Sequence, residues 1–500
     1  NKHFKIKDKS FRIRLMNFES FESYVTQPFI MVIFGATGDL AHNKLIPSLF
    51  SLFKKHMITS EFLIIGFSRR DVTDEEYRNF FPQLSKEKEW KYFALHLRYQ
   101  NGDFIEEKGY LELIDKLNSF DKQMGACITR FFYLATPPVN YTPILNYLHS
   151  TKLSEGCGQG SNKWTRIVIE KPFGKDLKTA IALDKKLSQI FEEKQIFRVD
   201  HYLGKETVQN MIAFRFANGI FEPVWNNNYI ENVQITFFET KGVGTRGKFF
   251  EGVGILRDVG QNHLMQLLAT VAMERPKRFE KESIRDERAK VIKAIRNILP
   301  SKVFKFVVKG QYKTYKKEID VSKNSRTETF AAVKLFVNTK RFKNVPFYLR
   351  IGKKMHKESV YISIVFKQTN HELFKEYQTL EKQNVLTIRI QPNEGISLKL
   401  IAKKPGAKLS LNEVNMKFNY SEEFGEKVFD AYEKILLDIF AGDQMLFNRS
   451  DELAYSWKFI TNILKGWEKH KTKMLVYNDN SQGPKEAIDL IEKDKRKWMD

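Results

Sequence analysis

Short apolar runs punctuate the first two fifths of the chain at helix-length intervals. Phe29–Phe34 reads as a buried strand, followed by a turn at Gly35–Gly38 and a helix from Asp39. Phe62–Phe67, Phe131–Ala135 and Arg166–Glu170 read as three further strands. Apolar runs separated by helical segments predict a parallel sheet of βαβ units, an α/β architecture. The rhythm changes after a strand at Ile196–Val199 and a helix near Lys205–Phe216. Asn232–Glu239 alternates like a strand, and Gly254–Met273 reads as a helix with Ile255, Val259, Leu267, Leu268 and Val271 as candidate core. Phe330–Val337, Val360–Phe366, Val385–Gln391 and Ile396–Ala402 recur at intervals typical of an antiparallel sheet. The pattern predicts an arm or linker over 1–28, an α/β domain over 29–199 and an α+β domain over 200–500. The last is built on one large, mostly antiparallel sheet with helices.

Composition narrows the class. No run approaches the roughly 18 apolar residues of a membrane span. The start is charged (Lys2, Lys5, Lys7) and lacks an apolar leader core, so a cytoplasmic chain is expected. Two cysteines, Cys127 and Cys157, are too few for a disulfide framework and suit a reducing compartment. The net charge of +23 raises the question of a nucleic-acid partner. Lysine is scattered rather than gathered into a stripe or tail, so a solvated basic surface that steers phosphates is the reading taken, with no nucleic-acid and no membrane partner.

Gly35-Ala36-Thr37-Gly38-Asp39-Leu40 joins the first strand to its helix. Glycine permits the tight turn, and the helix start offers N–H groups and a positive dipole end to a pyrophosphate. Ile33 stands where the first glycine of a full G-x-G-x-x-G would fall, and an ordinary strand-to-helix turn would read the same way. The second strand ends Gly66-Phe67-Ser68-Arg69-Arg70. An arginine at the place of the usual acid pairs with a ribose 2′-phosphate, which favours NADP over NAD; a surface arginine pair is the alternative.

Three later segments carry candidate chemistry. Arg198–Glu206 is dense with polar groups at a strand-to-helix junction, where His201, Tyr202 and Lys205 are placed to meet an anion and Asp200 to fix a histidine tautomer. Asp200 as a plain helix cap is the structural alternative. His263 lies among Arg257, Asp258, Gln261 and Asn262 in an otherwise apolar helix. Polar groups there are costly without partners, and a histidine that titrates near neutrality suits a general base. Lys171 is held extended by Pro172 at the end of a strand, where open α/β sheets bind ligands.

Taken together, Gly35–Leu40, Glu170–Gly174, Arg198–Glu206 and Arg257–Leu264 resemble glucose-6-phosphate dehydrogenase. Arg215–Asn218, Ile220-Phe221, Pro223–Asn226 and Gln391–Glu394 add to the resemblance, which runs from about residue 29 to about 490. It implies a Rossmann-like NADP-binding domain, a larger β+α domain, and homodimers or homotetramers formed through the large sheet. It implies oxidation of glucose 6-phosphate at C1 to 6-phosphogluconolactone with NADP reduced, the first step of the oxidative pentose phosphate pathway. His263 matches the family's base and Asp200 its orienting carboxylate. His201, Tyr202 and Lys205 match the phosphate grip. Lys171 matches the lysine between sugar and nicotinamide, followed by a cis proline. Glu239, Asp258 and Lys353 match groups that meet sugar hydroxyls. Gly35, Ala36, Thr37, Gly38, Asp39, Leu40, Arg69, Tyr141 and Lys171 match coenzyme contacts. No metal is implied.

Departures from the pattern are local. Many members carry an arginine five residues past the position of Lys353; here it is Glu358, with Lys357 beside it. Some members hold a second, structural NADP. Arg350, Arg389, Lys399 and Trp498 match parts of that site, whereas Ser397, Lys417 and Gln482 replace a tyrosine, an aspartate and an arginine. The richness in Lys, Asn and Phe resembles apicomplexan members, some fused behind a lactonase domain, and the Met-less start suits such a fusion. The alternatives are a non-catalytic nucleotide-binding homologue and a dehydrogenase of another sugar phosphate.

Overall fold

The computed structural model describes residues 24–156, 165–368, 383–425, 429–470 and 472–499. Most of the expected arm lies outside them, but Val25 already bridges to Ile58 beside the first sheet. The strands, in chain order, are β1 (Phe29–Phe34), β2 (Phe62–Ser68), β3 (Leu97–Asn101), β4 (Thr129–Leu134), β5 (Arg166–Glu170), β6 (Ile196–Val199), β7 (Ile230–Phe238) and β8 (Val307–Tyr312). They continue with β9 (Phe330–Phe336), β10 (Pro346–Gly352), β11 (Ser359–Phe366), β12 (Val385–Gln391), β13 (Gly395–Lys403), β14 (Leu411–Asn419), β15 (Phe447–Asn448) and β16 (Leu475–Tyr477).

The first sheet runs β15-β6-β5-β4-β1-β2-β3. Its six long strands are parallel, and β15 closes the β6 edge antiparallel, Phe447 opposite Val199. Both faces are covered, which is why β1 is apolar throughout. Phe29, Met31 and Ile33 point into one core, and Ile30, Val32 and Phe34 into the other, the period of two that a strand dictates. The order reverses between β1 and β4, the place where doubly wound sheets open a crevice for a nucleotide.

The second sheet runs β14-β13-β12-β11-β7-β10-β9-β8-β16. It is mixed: β10 lies parallel to β7, β16 parallel to β8, and the other pairs are antiparallel. Val233, Ile235 and Ile362 of this sheet share a core with Phe29 and Met31 of the first, so the two lobes are packed into one body.

The stretch expected as one helix over Gly254–Met273 is a π-helix at Leu256–Leu264 that passes into an α-helix at Met265–Ala272. Its start is set by Glu328, whose carboxylate accepts from Leu256 N at 3.2 Å and whose carbonyl accepts from Ile255 N. Gly254 precedes it at φ +73°, where a Cβ would fall 2.3 Å from the Glu328 carboxylate.

The cysteine reading needs one correction. Cys127, in the turn before β4, is disulfide-bonded, and the other cysteine, Cys157, lies outside the described residues. A low cysteine count excludes a framework of bridges but not a single bond. Among the described residues no helix is long and apolar enough to cross a membrane.

Candidate active site

The turn after β1 is built by close approach. Gly35 has φ +87°, and a Cβ there would lie 2.5 Å from the Ala135 carbonyl that follows β4. Its N–H donates to Phe67 O at 2.8 Å, and Gly38 N donates to Gly35 O at 3.0 Å. Ala36 is buried, Asp39 is exposed, and Thr37 Oγ1 meets Ser68 Oγ at 3.0 Å. Leu40 packs at the edge of the core. Arg69 is exposed one residue beyond β2, on the carboxyl side of the sheet. A glycine turn at the point of reversal, a helix start behind it and an exposed guanidinium at the end of the next strand fit a dinucleotide with a 2′-phosphate. Tyr141, expected at the coenzyme, is 1% exposed, and its hydroxyl donates to Glu170 O at 2.8 Å, one residue before Lys171.

The catalytic candidates meet where β6, the π-helix and β5 end together. Asp200 follows β6 directly, and its Oδ1 lies 2.5 Å from His263 Nδ1. The same oxygen accepts from Tyr202 N at 3.1 Å, so the turn that starts the next helix also orients the carboxylate. Both groups are nearly inaccessible, at 1% and 2%. An ionised carboxylate only accepts, so the proton sits on Nδ1 and Nε2 is left as the basic nitrogen. Burial pushes the imidazole below its ordinary value, while Asp200 pulls it partly back. Burial raises Asp200, but His263, His201 and the Tyr202 N–H together outweigh it and hold the carboxyl below its ordinary value. His201 offers a third ligand atom within 4.8 Å of these two. The 2.5 Å spacing of Nδ1 and Oδ1 is that of a direct hydrogen bond.

The buried polar side chains of this helix each make at least one contact, although the Gln261 and Gln266 amide oxygens find no partner among the described residues. Lys171 Nζ donates to Asp258 O at 2.8 Å and reaches Asp258 Oδ1 at 3.2 Å. Asn262 Nδ2 donates to Asp258 O, Gln261 meets Ser456, and Gln266 donates to Glu452. Asp258 is held far below its ordinary value: Lys171, Lys353 and Arg246 together outweigh its burial. Lys353 pairs with Glu239 at 2.5 Å, and its charge also reaches Asp258, which links the three expected sugar-facing groups. The peptide bonds before Pro172 and Pro392 are cis.

The Tyr202 ring lies 4.4 Å from the His263 ring, and Lys205 Nζ sits 5.2 Å above the Tyr202 ring. Lys205 precedes the helix Glu206–Ala217 and opens onto a cleft of about 710 Å³. His201 lies edge-on to His263 at 4.8 Å and stacked on Tyr432 at 6.0 Å. Burial and the neighbouring charges of His263 and Lys171 hold its imidazole well below the ordinary value. Of the three groups expected to meet a phosphate, Lys205 brings the positive charge and His201 a neutral N–H.

Two family models cover the chain. The glucose-6-phosphate dehydrogenase NAD binding domain matches residues 32–210, and the glucose-6-phosphate dehydrogenase C-terminal domain matches residues 212–499. The chain belongs to the glucose-6-phosphate dehydrogenase family. The glucose-6-phosphate 1-dehydrogenase of Chlamydia pneumoniae is 41% identical over 94% of this chain and 96% of its own length. That of Borreliella burgdorferi is 42% identical over 93% and 97%. A solved glucose-6-phosphate dehydrogenase in complex with glucose 6-phosphate superposes with a TM-score of 0.87 at 32% identity, covering 96% of this chain and all of that one.

The structure adds groups that sequence reading did not single out. Glu170 is buried at the end of β5, and its carboxylate accepts from the hydroxyls of Tyr133 at 2.7 Å and Tyr432 at 3.3 Å. Burial raises it to about 7, against the hydroxyls and Lys171, which lower it. Gln391 accepts from Lys205 Nζ at 2.9 Å and donates to Glu358 at 2.6 Å. Glu170 and Gln391 stand inside motifs already noted, which was the available signal.

The groups matched to a second nucleotide are engaged by the chain itself. The Arg350 guanidinium is packed against the rings of Trp498 at 4.3 Å and Phe238 at 4.8 Å. Arg389 donates to Asn419, and Lys399 pairs with Glu413. Ser397 faces Lys417 across β13 and β14, and Gln482 is exposed.

Proposed function

We propose that this member of the family oxidises D-glucose 6-phosphate at C1 to the 1,5-lactone with NADP as acceptor, using His263 as the base. The observation that carries the reading is the His263–Asp200 pair, with Lys171 bound to Asp258 of the same π-helix and Tyr202, under Lys205, beside the imidazole.

His263 Nε2 takes the proton of the C1 hydroxyl. Asp200 holds the Nδ1 proton and stabilises the imidazolium that forms, so the buried histidine carries its transient charge beside an anion. Lys205, Tyr202 and His201 hold the phosphate and fix the distance from that group to C1. Glu239, Asp258 and Lys353 meet the sugar hydroxyls, and Lys171 orders the ring side of the site. The turn Gly35–Leu40 takes the pyrophosphate, and Arg69 takes the 2′-phosphate. Bound there, the oxidised nicotinamide supplies the hydride acceptor. Positioning of C1 against it contributes alongside the base.

A cytoplasmic location and self-association through the nine-stranded sheet complete the proposal. The strand β14, outermost in the sheet among the described residues, leaves Val414 and Met416 exposed at 41% and 63% on one face, apolar surface that a second copy would cover.

The direct test follows absorbance of reduced nicotinamide on mixing with glucose 6-phosphate. Turnover with NADP well above that with NAD, and little with unphosphorylated glucose, is expected. No turnover with glucose 6-phosphate and either coenzyme would overturn the reading.

A further inference from the structure

Glu358 ends the loop before β11 and stands beside the end of β12, where Val360 pairs with Gln391. Its Oε1 accepts from Gln391 Nε2 at 2.6 Å. The other end of that amide faces the phosphate grip: Gln391 Oε1 accepts from Lys205 Nζ at 2.9 Å and from the Tyr202 hydroxyl at 3.4 Å. An ionised carboxylate has no proton to offer, so Glu358 selects the N–H end of the amide and turns the oxygen toward Lys205 and Tyr202. An anion arriving at those donors meets an acceptor already seated on them. Turning the amide over would set its oxygen against the Glu358 carboxylate, two acceptors face to face with no proton between them.

We propose that Glu358 limits affinity for the sugar phosphate by locking Gln391 with its oxygen on the phosphate grip. The grip is then occupied by the protein until substrate displaces it. This rests on the reading of Lys205 and Tyr202 as the phosphate site. The negative charge of Glu358 also acts on the Tyr202 hydroxyl, which places it in the field of the same site. Glu358 is a positioning residue: it acts through Gln391 and sets how tightly the anion is held, not how fast C1 is oxidised.

Glu358→Gln keeps the shape and supplies a donor, so the Gln391 amide becomes free to reverse and present N–H groups to the anion. Two quantities read the effect: KM for glucose 6-phosphate, and the competitive inhibition constant of inorganic phosphate, which needs only the grip. Both should fall by about three- to tenfold, the scale of one hydrogen bond. The change should lie in KM rather than kcat. In a Gln391→Ala background, Glu358→Gln should have little left to do, since the oxygen it releases is gone. Constants that stay level or rise on Glu358→Gln would overturn the proposal. A full effect persisting in the Gln391→Ala background would overturn it too, assigning the change to charge alone. Lys205→Ala separates this from the underlying reading. If it leaves both constants unmoved, the phosphate grip itself is refuted. If it raises them while Glu358→Gln does nothing, the grip stands and only the role of Glu358 falls.

Discussion

His263 Nδ1 and Asp200 Oδ1 lie 2.5 Å apart although 63 residues separate them in the chain. The carboxylate comes from the turn after β6 and the imidazole from the far end of a π-helix. Removing either should damage chemistry more than binding. His263→Asn is expected to lower kcat by roughly 10²–10⁴, the usual contribution of a positioned base, with KM changing far less. Steady-state rates check this, and normal turnover would dismiss His263 as the base.

The same pair sets a pH profile. The base must be unprotonated, and burial holds the folded-state value below 6.5, so kcat/KM should be level through neutrality and fall only on the acid side of 6.5. Asp200 raises the imidazole, so Asp200→Asn should push that acid limb to still lower pH while cutting kcat. A limb above 6.5 in the unsubstituted enzyme, or one that rises on Asp200→Asn, would contradict the arrangement.

The proposed 2′-phosphate role falls on Arg69, exposed beyond β2. A charged hydrogen-bonded pair is worth about 1.5–3 kcal/mol, so Arg69→Ala should raise KM for NADP roughly ten- to hundredfold and leave KM for NAD nearly level. Equal effects on the two would remove the 2′-phosphate role.

Glu170 predicts a stability signature. Its carboxyl is raised from 4.5 to about 7 in the fold. Between those values the folded state holds a proton that the unfolded chain has released, so its contribution to stability falls as pH climbs from 4.5 to about 7 and levels off above. Glu170→Gln cannot titrate and keeps an oxygen for Tyr133 and Tyr432. Relative to the unsubstituted chain it should gain stability between pH 5 and pH 8, read as the shift in urea midpoint at the two pH values. The same relative midpoint at both would show that Glu170 is not held protonated.

The sequence was legible wherever function or burial compressed the signal into neighbouring residues. β6 and β12 fall on the expected residues, because each apolar run ends at a sharp polar change or a proline. The cluster Asp200, His201, Tyr202 and Lys205 is one short segment, so its chemistry was visible as a unit. β3 was missed because Arg98 and Gln100 break its apolar character; Gln100 is buried only because it bonds Glu112 and Asn101 O. β10 opens on Pro346 and carries Arg350, which reads as a loop until Trp498 and Phe238 are seen packed on the guanidinium. β14 is exposed on most of its length, and only the alternation Val414, Met416, Phe418 could have announced it. The tyrosines around Glu170 come from positions 133, 141 and 432, and no local pattern links them. The π-turns at Ala41–Leu45 and Leu256–Leu264 are matters of hydrogen-bond register, which composition does not encode.

β15 gives the molecule its seam. The strand comes from the last eighth of the chain, yet Phe447 and Asn448 seal the edge of the first sheet against Val199 and Arg198, one residue short of Asp200. Gln444 ties the same seam by donating to the carbonyls of Glu193 and Ile196. The lobes are therefore stitched rather than strung: a fragment ending near residue 200 would expose a raw edge beside Asp200. The edge beside Asp200 is closed only by residues 444–448, so it cannot be completed before they are made.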